Sequence, residues 1–415
     1  MKNKFLLIIL LLTSSQYSFS QDRFEGDLDV MTFLGRVPQK TESNSLADNI
    51  LTRLFYNIQP ENYPKIGYLN LKGDIVIEPK YNFGTDFYGD YANIIKDSVY
   101  GYINKEGGEV FIKKYEKTFF YYGDTGYAIK NGKYGLINRK GDSLTPFQYT
   151  NISNFGFEHF RGQTEVKRAH ILDANGKVIF NSDLQYDIRS HYFDSDSLFV
   201  YQEIMDGNKM KGLVNIKGEI LCKPKYQEIY FINDSELYVA KQDNKFGFIN
   251  KVGEAVIPFI YDEVGLNINE NLITAQKNGK WGFVNRKNEE QIPFIYEKVH
   301  AFKGGRAFVK KGEFYGVINK QNIIKVPFNL ERTGFQFFTE KLALFKKEEK
   351  YGFINRKGKI KIPAVYEKAL PFFNDLAYVE LNGEAGYINK NGEEVIPIKY
   401  KQLWLETEGI IRFAE

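Results

Sequence analysis

The chain has 415 residues, of which 56 are Lys or Arg and 52 are Asp or Glu, so its net charge at neutral pH is only +4. This near balance gives no electrostatic reason to expect nucleic acid or an anionic membrane as partner. The single cysteine, Cys222, excludes an internal disulfide, so the apolar and aromatic residues must hold any folded domain together.

The N-terminus has the organisation of a signal peptide. Two lysines precede a short apolar run at residues 5–12, and Ser18 and Ser20 are small residues at the minus-three and minus-one positions. This order predicts export and cleavage that removes residues 1–20. The run is too short for a membrane anchor, and no later stretch approaches the roughly 20 apolar residues of a membrane helix. Since no cysteine lies near the cleavage region, we expect no lipid anchor. The predicted location is periplasmic, cell-surface or secreted.

The next segment, residues 21–64, has no internal repeat. Ile50, Leu54 and Ile58 share one face of a helix, which predicts a short amphipathic helix at residues 45–58. Repeat arrays need their exposed apolar ends covered, so we expect this helix to cap the first unit. The alternative is a helix that binds a partner.

From residue 65 to residue 415 the sequence repeats with a period of about 35 residues. The repeat is anchored by a glycine after an aromatic residue in most units; the glycines are Gly67, Gly101, Gly135, Gly212, Gly247, Gly282, Gly316, Gly352 and Gly386. His170 occupies the glycine place of a degraded unit, which together with an insertion covers residues 155–198. A fixed period of this length is typical of proteins whose units bury apolar surface against their neighbours. Ten units are recognisable.

Each unit predicts an antiparallel meander of about three strands. In the clearest unit, Asn278-Gly279 is a strong hairpin signal between two strands. Asn285 starts a polar turn, because an asparagine side chain can bond to its own backbone two residues on. The third strand contains Pro293, which predicts a strand end or sheet edge, and it is followed by Tyr296. Gly282 lies in mid-strand, where we expect an aromatic side chain from a neighbouring strand to cover the bare backbone. A glycine kept for a ligand is the alternative.

These units resemble the WG repeats of bacterial proteins. The consensus of that family is a Trp/Tyr-Gly-Phe-Ile-Asp/Asn strand, a glycine turn and a Val-Ile-Pro-x-x-Tyr strand, and residues 281–296 and 351–366 are the nearest copies. The resemblance covers roughly residues 66–400, although Tyr or Phe mostly replaces the tryptophan. It implies a β-rich repeat protein, and it implies no activity and no catalytic motif.

The predicted fold is therefore all-β, a tandem array of about ten meanders with a short N-terminal helix. Residues 66–69 match the second strand of a unit and residues 409–413 match a first strand, so a closed propeller-like toroid is possible. We nevertheless expect an open, curved, solenoid-like array. Propeller blades usually have four strands, whereas these units are predicted to have three, and a closed ring has no exposed end for a helix to cap. Backbone pairing between the two chain ends is the observation that decides the choice.

No catalytic, cofactor or metal site is predicted. His159, His170, His191 and His300 share no spacing suited to a metal, and the acidic run at residues 194–197 lacks the glycine and glutamate of a calcium loop. Cys222 falls in a strand slot, which predicts a buried, inert thiol.

The acidic residues directly after the repeat tyrosine, Asp262, Glu297 and Glu367, recur at equivalent places, which favours a structural role over catalysis. Because residues 155–198 break the period and contain three of the four histidines, they are the first place to search for a specific site.

The sequence favours an exported, non-enzymatic scaffold that binds a protein, a glycan or an envelope component. Two alternatives stay open, a carbohydrate-active hydrolase and a structural surface protein. A singular acidic pair in a deep pocket would favour the hydrolase, and a strip of exposed tyrosines would favour binding.

Overall fold

The computed structural model of the protein describes residues 64–414, except 88, 123, 157–158, 167–168, 182–197, 216 and 233–235. All regular structure in this part is β-strand. Nothing in it is a helix long and apolar enough to cross a membrane. The predicted signal peptide and the predicted helix at residues 45–58 lie outside the described residues.

The described residues form ten antiparallel sheets, seven with four strands and three with three strands. In chain order, with semicolons between sheets, the strands are β1 (Ile66–Asn70) and β2 (Ile75–Tyr81); β3 (Phe83–Gly84), β4 (Tyr91–Lys96), β5 (Val99–Asn104) and β6 (Glu109–Phe111); β7 (Lys117–Tyr122), β8 (Thr125–Lys130) and β9 (Lys133–Asn138); β10 (Asn151–Gly156), β11 (His159–Gln163), β12 (Ala169–Leu172) and β13 (Val178–Asn181); β14 (Leu198–Met205), β15 (Asn208–Asn215) and β16 (Ile220–Tyr226).

The second half of the chain continues the series. Its strands are β17 (Glu228–Phe231), β18 (Tyr238–Gln242), β19 (Lys245–Ile249) and β20 (Ala255–Tyr261); β21 (Glu263–Val264), β22 (Ile273–Lys277), β23 (Lys280–Val284) and β24 (Glu290–Tyr296); β25 (Lys298–Val299), β26 (Ala307–Lys311), β27 (Phe314–Ile318) and β28 (Ile324–Leu330); β29 (Leu342–Lys347), β30 (Lys350–Asn355) and β31 (Ile360–Tyr366); β32 (Lys368–Ala369), β33 (Ala377–Leu381), β34 (Glu384–Ile388) and β35 (Glu394–Tyr400); β36 (Gln402–Thr407) and β37 (Ile410–Ala414).

The predicted turns of a unit are confirmed. Asn278 and Gly279 both have positive φ, 53° and 73°, as a type I′ hairpin between β22 and β23 requires. Between β23 and β24, the Asn285 side-chain oxygen accepts hydrogen bonds from the backbone amides of Lys287 and Glu289, each at 2.9 Å. The asparagine thus holds the turn from inside, as an Asx turn does.

The mid-strand glycine has a different reason from the one expected. Trp281 pairs with Tyr296 and Phe283 with Ile292, so β24 bulges opposite Gly282. A Cβ at Gly282 would lie 2.6 Å from the Ile292 carbonyl oxygen, so the backbone of the unit's own last strand fills the space. The expected aromatic cover is present in other units, for example at Gly135, where a Cβ would meet the Phe147 ring at 3.1 Å.

Neighbouring sheets pack face to face, and the core lies between them. Strand β23 contacts β25 of the next sheet, and β24 contacts β26. Phe283 packs edge-on against Phe302 of the next unit, with ring centroids 4.9 Å apart. Seven of the described repeat tyrosines are buried: Tyr81, Tyr149, Tyr226, Tyr261, Tyr296, Tyr366 and Tyr400. Some of them link units: the Tyr296 hydroxyl donates to Asn322 Oδ1 at 2.6 Å, and the Tyr226 hydroxyl donates to the Gly253 carbonyl at 2.8 Å.

The first and last described strands meet in one sheet with the strand order β2-β1-β37-β36. Gly67 pairs with Phe413 and Asn70 with Ile410. The ten sheets therefore form a closed ring, a ten-bladed β-propeller, and the predicted open solenoid-like array is wrong. The three-strand count was the source of the error. Residues directly after the repeat tyrosine add a first strand that was not predicted, such as the two-residue β21, and seven of the ten sheets have four strands.

Candidate functional site

The recurring acidic residues hold hairpins. Glu297 accepts a hydrogen bond from the Gly312 amide at 2.8 Å and pairs with Lys280 at 3.2 Å. Glu367 likewise accepts from the Gly383 amide at 3.1 Å, and this amide, together with Lys350, lowers the pKa of its carboxyl. Asp262 bonds Lys245 and the Gly279 amide, and its pKa is lowered chiefly by the lysine. In each of these three units, a backbone amide of the hairpin turn donates a hydrogen bond to the acid. This shared contact explains why an acidic residue recurs at this position of the repeat.

The described histidines do not assemble a metal site. The Tyr149 hydroxyl lies 3.2 Å from His170 Nδ1, and the Nε2 atom of His300 is buried, with the ring packed beside Tyr315. Among the described residues no group of three His, Cys, Asp or Glu side chains is arranged to hold a metal ion. His191 and the acidic run at residues 194–197 lie outside the described residues.

The unit described as degraded from the sequence has a regular backbone. Residues 151–181 contain the complete four-stranded sheet β10-β11-β12-β13. His170 does lie in the glycine place of its third strand, and its partner across the ladder is Gly162. A Cβ at Gly162 would lie 2.7 Å from the Tyr149 ring, so this unit moves its glycine from one strand of the pair to the other. In the described part of this unit, the exchange of glycine and histidine is therefore a packing variant; residues 182–197 of the insertion lie outside the described residues. Cys222 is buried, as predicted, and burial raises the pKa of its thiol.

A cluster of buried polar groups lies where the ring closes. The Asp86 side chain is mostly buried, 24% exposed, and pairs with Arg412 Nε at 3.1 Å. The Arg412 guanidinium also lies 4.3 Å from the Trp404 ring centroid and bonds the Gly84 carbonyl. Burial raises the pKa of the Asp86 carboxyl, and Arg412 opposes this effect. The guanidinium thus joins the last strand of the chain to the loop that follows the short strand β3.

The other half of the cluster joins the last sheets. The Tyr387 hydroxyl donates to the Trp404 carbonyl at 2.7 Å and accepts from the Glu406 amide at 3.1 Å. The Glu406 carboxylate accepts from Asn374 Nδ2 and from the Gly409 amide, each at 2.7 Å. This cluster was not predicted from the sequence. The residue that could have indicated it is Arg412, because a charged side chain there occupies the strand position that holds buried Val239, Thr274 and Phe308 in other units.

Apolar side chains are exposed on the last strands of four consecutive sheets. We call this set the apolar edge; its members, each 40% to 54% exposed, are Val256, Ile260, Ile295, Ile324, Ile360 and Val365. Strands β20, β24, β28 and β31 each end their sheet, so one side of each strand has no strand partner. In other units the slot of Ile260 holds a lysine, namely Lys80, Lys225 and Lys399, although Ile75 and Ile220 on two of these strands are also exposed. Exposed aliphatic groups on unpaired strands are typical of contact surfaces.

Sequence comparison accounts for the repeat. The profile of the WG containing repeat matches eight segments, residues 66–99, 134–158, 212–246, 246–281, 281–313, 315–351, 351–384 and 386–414, more than half of the chain. The chain belongs to the WG repeat family. A search of curated protein sequences finds no match to this WG repeat protein.

Solved structures resemble it only distantly. A structure titled as the eukaryotic initiation factor has 14% sequence identity and a TM-score of 0.43, covering 65% of this WG repeat protein and 83% of that chain. BamB from Moraxella catarrhalis has 11% identity and a TM-score of 0.29, covering 69% and 96% respectively. Similarity at this level carries no functional information.

Turns of adjacent units in this WG repeat protein are joined by charge. Glu270, in the two-residue turn between β21 and β22, accepts from the Gly305 amide of the next unit at 3.0 Å and pairs with Lys320 at 2.9 Å. Glu340 repeats the arrangement with the Asp375 amide at 3.2 Å and Lys390 at 2.9 Å. In each case a carboxylate from one unit meets the lysine that follows the turn asparagine in the next. We call these contacts the turn ladder.

Proposed function

We propose that this protein is an exported, non-enzymatic binding scaffold and that its apolar edge contacts a protein partner. The observation that supports the proposal is the exposure of six aliphatic side chains on strands without an outer partner in four consecutive units. A protein partner supplies matching apolar surface, and such patches are depleted of charge at their centre.

A glycan partner is less well supported by the described residues. Sugar recognition would use exposed aromatic rings, whereas the repeat tyrosines Tyr226, Tyr261 and Tyr296 are buried between units. The hydrolase alternative has one observation in its favour, a pair of acids near the ring closure, the buried Glu406 and the partly buried Asp86. Both, however, are held by partners within the protein, Asp86 by Arg412 and Glu406 by Asn374.

The test uses a variant that carries Ile260→Lys, Ile295→Lys and Val365→Lys. The substitutions should preserve the fold, because Lys80, Lys225 and Lys399 already occupy the same slot in other units. Protein and glycan arrays are probed with the mature chain and with the variant, and each hit is verified with purified components. We expect protein partners whose binding the variant loses while its circular dichroism spectrum stays unchanged.

A matched control replaces Lys225 by Ala in a unit outside the apolar edge, and this change should leave binding intact. A partner bound equally by the triple variant and the original chain would place recognition elsewhere. Binding confined to glycans would refute the protein partner. Concentration-dependent self-assembly without any partner would favour the structural surface protein.

A further inference from the structure

The turn ladder has one position at which the internal carboxylate is missing. Glu270 and Glu340 are each the first residue of a two-residue turn, and the equivalent residue in the unit between them is Gly304. The basic residue expected to meet it is present: Arg356 follows the turn asparagine of the next unit, as Lys320 and Lys390 do. The cation is therefore kept where its internal anion is absent.

The guanidinium of Arg356 occupies the space that a side chain at Gly304 would need. A Cβ at Gly304 would lie 2.0 Å from an Arg356 terminal nitrogen and 2.7 Å from the guanidinium carbon. In the described part of the chain, Arg356 Nε is buried without a hydrogen-bond acceptor, although the residue as a whole is only half-buried. Arg356 is thus a partly accessible cation, whereas its equivalents Lys320 and Lys390 each bind a carboxylate.

The second possible anion of the ladder is also missing at this position. Lys390 bonds a further acid, Asp375, the second turn residue of its own unit. The equivalent residue in the unit of Arg356 is Lys341. The two positions that carry acids elsewhere in the ladder are therefore Gly304 and Lys341 around Arg356. Their replacement leaves an excess of positive charge at this point of the ladder.

The surrounding charges are accounted for by other contacts. Glu270 and Glu340, the nearest carboxylates of the ladder, are engaged by Lys320 and Lys390. Arg306 donates from one terminal nitrogen to the Gly305 carbonyl at 2.9 Å, and its Nε is buried without an acceptor. Two arginines with unused donors therefore border the same glycine turn.

We propose that Arg356 and Gly304 form a carboxylate-binding notch for a ligand outside this chain. The ligand class follows from the protein itself, because Glu270 and Glu340 show a carboxylate in contact with the basic residue at the two equivalent positions. An arginine adds planar, two-pronged donation, which suits a carboxylate better than a lysine does. The notch does not depend on the apolar edge, and its test uses free carboxylates instead of a protein partner.

The decisive variant is Gly304→Glu, which restores the ladder. The backbone accepts a glutamate in this conformation, because φ is 60° at Gly304, 54° at Glu270 and 48° at Glu340. The clash at Gly304 involves only the far end of the flexible Arg356 side chain. The variant should keep the fold and occupy the notch with its own carboxylate.

Binding of glutarate, a hexaglutamate peptide and inorganic phosphate to the mature chain is measured by calorimetry at low salt. We expect saturable carboxylate binding that weakens roughly tenfold or more in Gly304→Glu and in Arg356→Gln. Lys390→Gln, which removes the cation where Glu340 supplies the anion, is the matched control and should leave ligand affinity unchanged.

The outcomes separate the sources of the carboxylate. Binding of glutarate and peptide alike supports recognition of the group itself, and binding of the peptide alone supports an acidic protein segment as ligand. Phosphate binding without carboxylate binding would overturn the assignment, as would equal affinities in the original chain and in Arg356→Gln. Arg356→Gln leaves the glycine turn itself unchanged, so its result stands even if the glutamate variant misfolds.

Discussion

Replacing Gly282 by alanine tests the most repeated contact of the fold. The new Cβ would lie 2.6 Å from the Ile292 carbonyl oxygen and 3.0 Å from the Phe294 nitrogen, both backbone atoms of the bulged strand β24. Backbone atoms of a paired strand cannot move aside alone, so the bulge itself must shift.

The magnitude follows from two opposing terms. Overpacking of this kind typically destabilises by about 1–3 kcal/mol. Replacing glycine by alanine also reduces the conformational entropy of the unfolded chain, which stabilises the folded state by about 0.4–1 kcal/mol. We therefore expect Gly282→Ala to lower the free energy of unfolding by about 1–2 kcal/mol, and the larger Gly282→Val by more.

Gly135→Ala is the matched control, measured beside Gly282→Ala by chemical denaturation. The three atoms nearest to its Cβ would all belong to the Phe147 ring, at 3.1 to 3.2 Å, and that ring is half-buried and can shift. We expect a change of less than about 1 kcal/mol there, by the same opposing terms. Lys280→Ala, which breaks only an exposed pair with Glu297, gives the surface reference. Equal midpoints for Gly282→Ala and Lys280→Ala would refute the bulge as the reason for the glycine.

Three further predictions follow from the closure, the buried histidine and the N-terminus. Deleting residues 402–415 removes the strand partner of β1, so size-exclusion chromatography should show oligomers; a stable monomer would contradict the closed ring. Burial, with Lys298 and Arg332 nearby, lowers the pKa of His300 from 6.5 to about 3. The unfolded chain therefore takes up a proton that the folded chain refuses, and stability should fall as the pH drops through this window, by at most about 1.4 kcal/mol per pH unit. Urea unfolding from pH 7 to pH 4 should show a shallower decline for His300→Phe, and identical slopes would argue against a buried neutral ring. Mass spectrometry of the native protein should find cleavage after Ser20; an intact N-terminus would remove the basis for export.

Local patterns predicted local structure well. Asn278-Gly279 and the Asn285 turn have the backbone geometry that their sequence requires, because the φ preferences of glycine and asparagine act within a few residues. The period of about 35 residues predicted the number of units. Recurrence also favoured a structural role for Asp262 and Glu297, and the structure shows the hairpin amides that they hold.

Contacts between distant residues were not accessible in the same way. Arg412 and Asp86 are far apart in sequence, and neither belongs to the repeat consensus, so no periodic signal links them. The lack of a carboxylate at Gly304 can be recognised only from the tertiary structure, which shows that Arg356 lies beside this glycine.

The sequence by itself determined the strand-rich repeat, its turns and the buried slots, since these depend on the preferences of neighbouring residues and on alternation along a strand. Only the tertiary structure decided that the array closes. Ten sheets, each rotated slightly from the last, bring β37 beside β1. That rotation is set by how whole faces pack, and a single unit does not contain it. A local pattern therefore describes both an open array and a ring, and the pairing of the two chain ends distinguishes them.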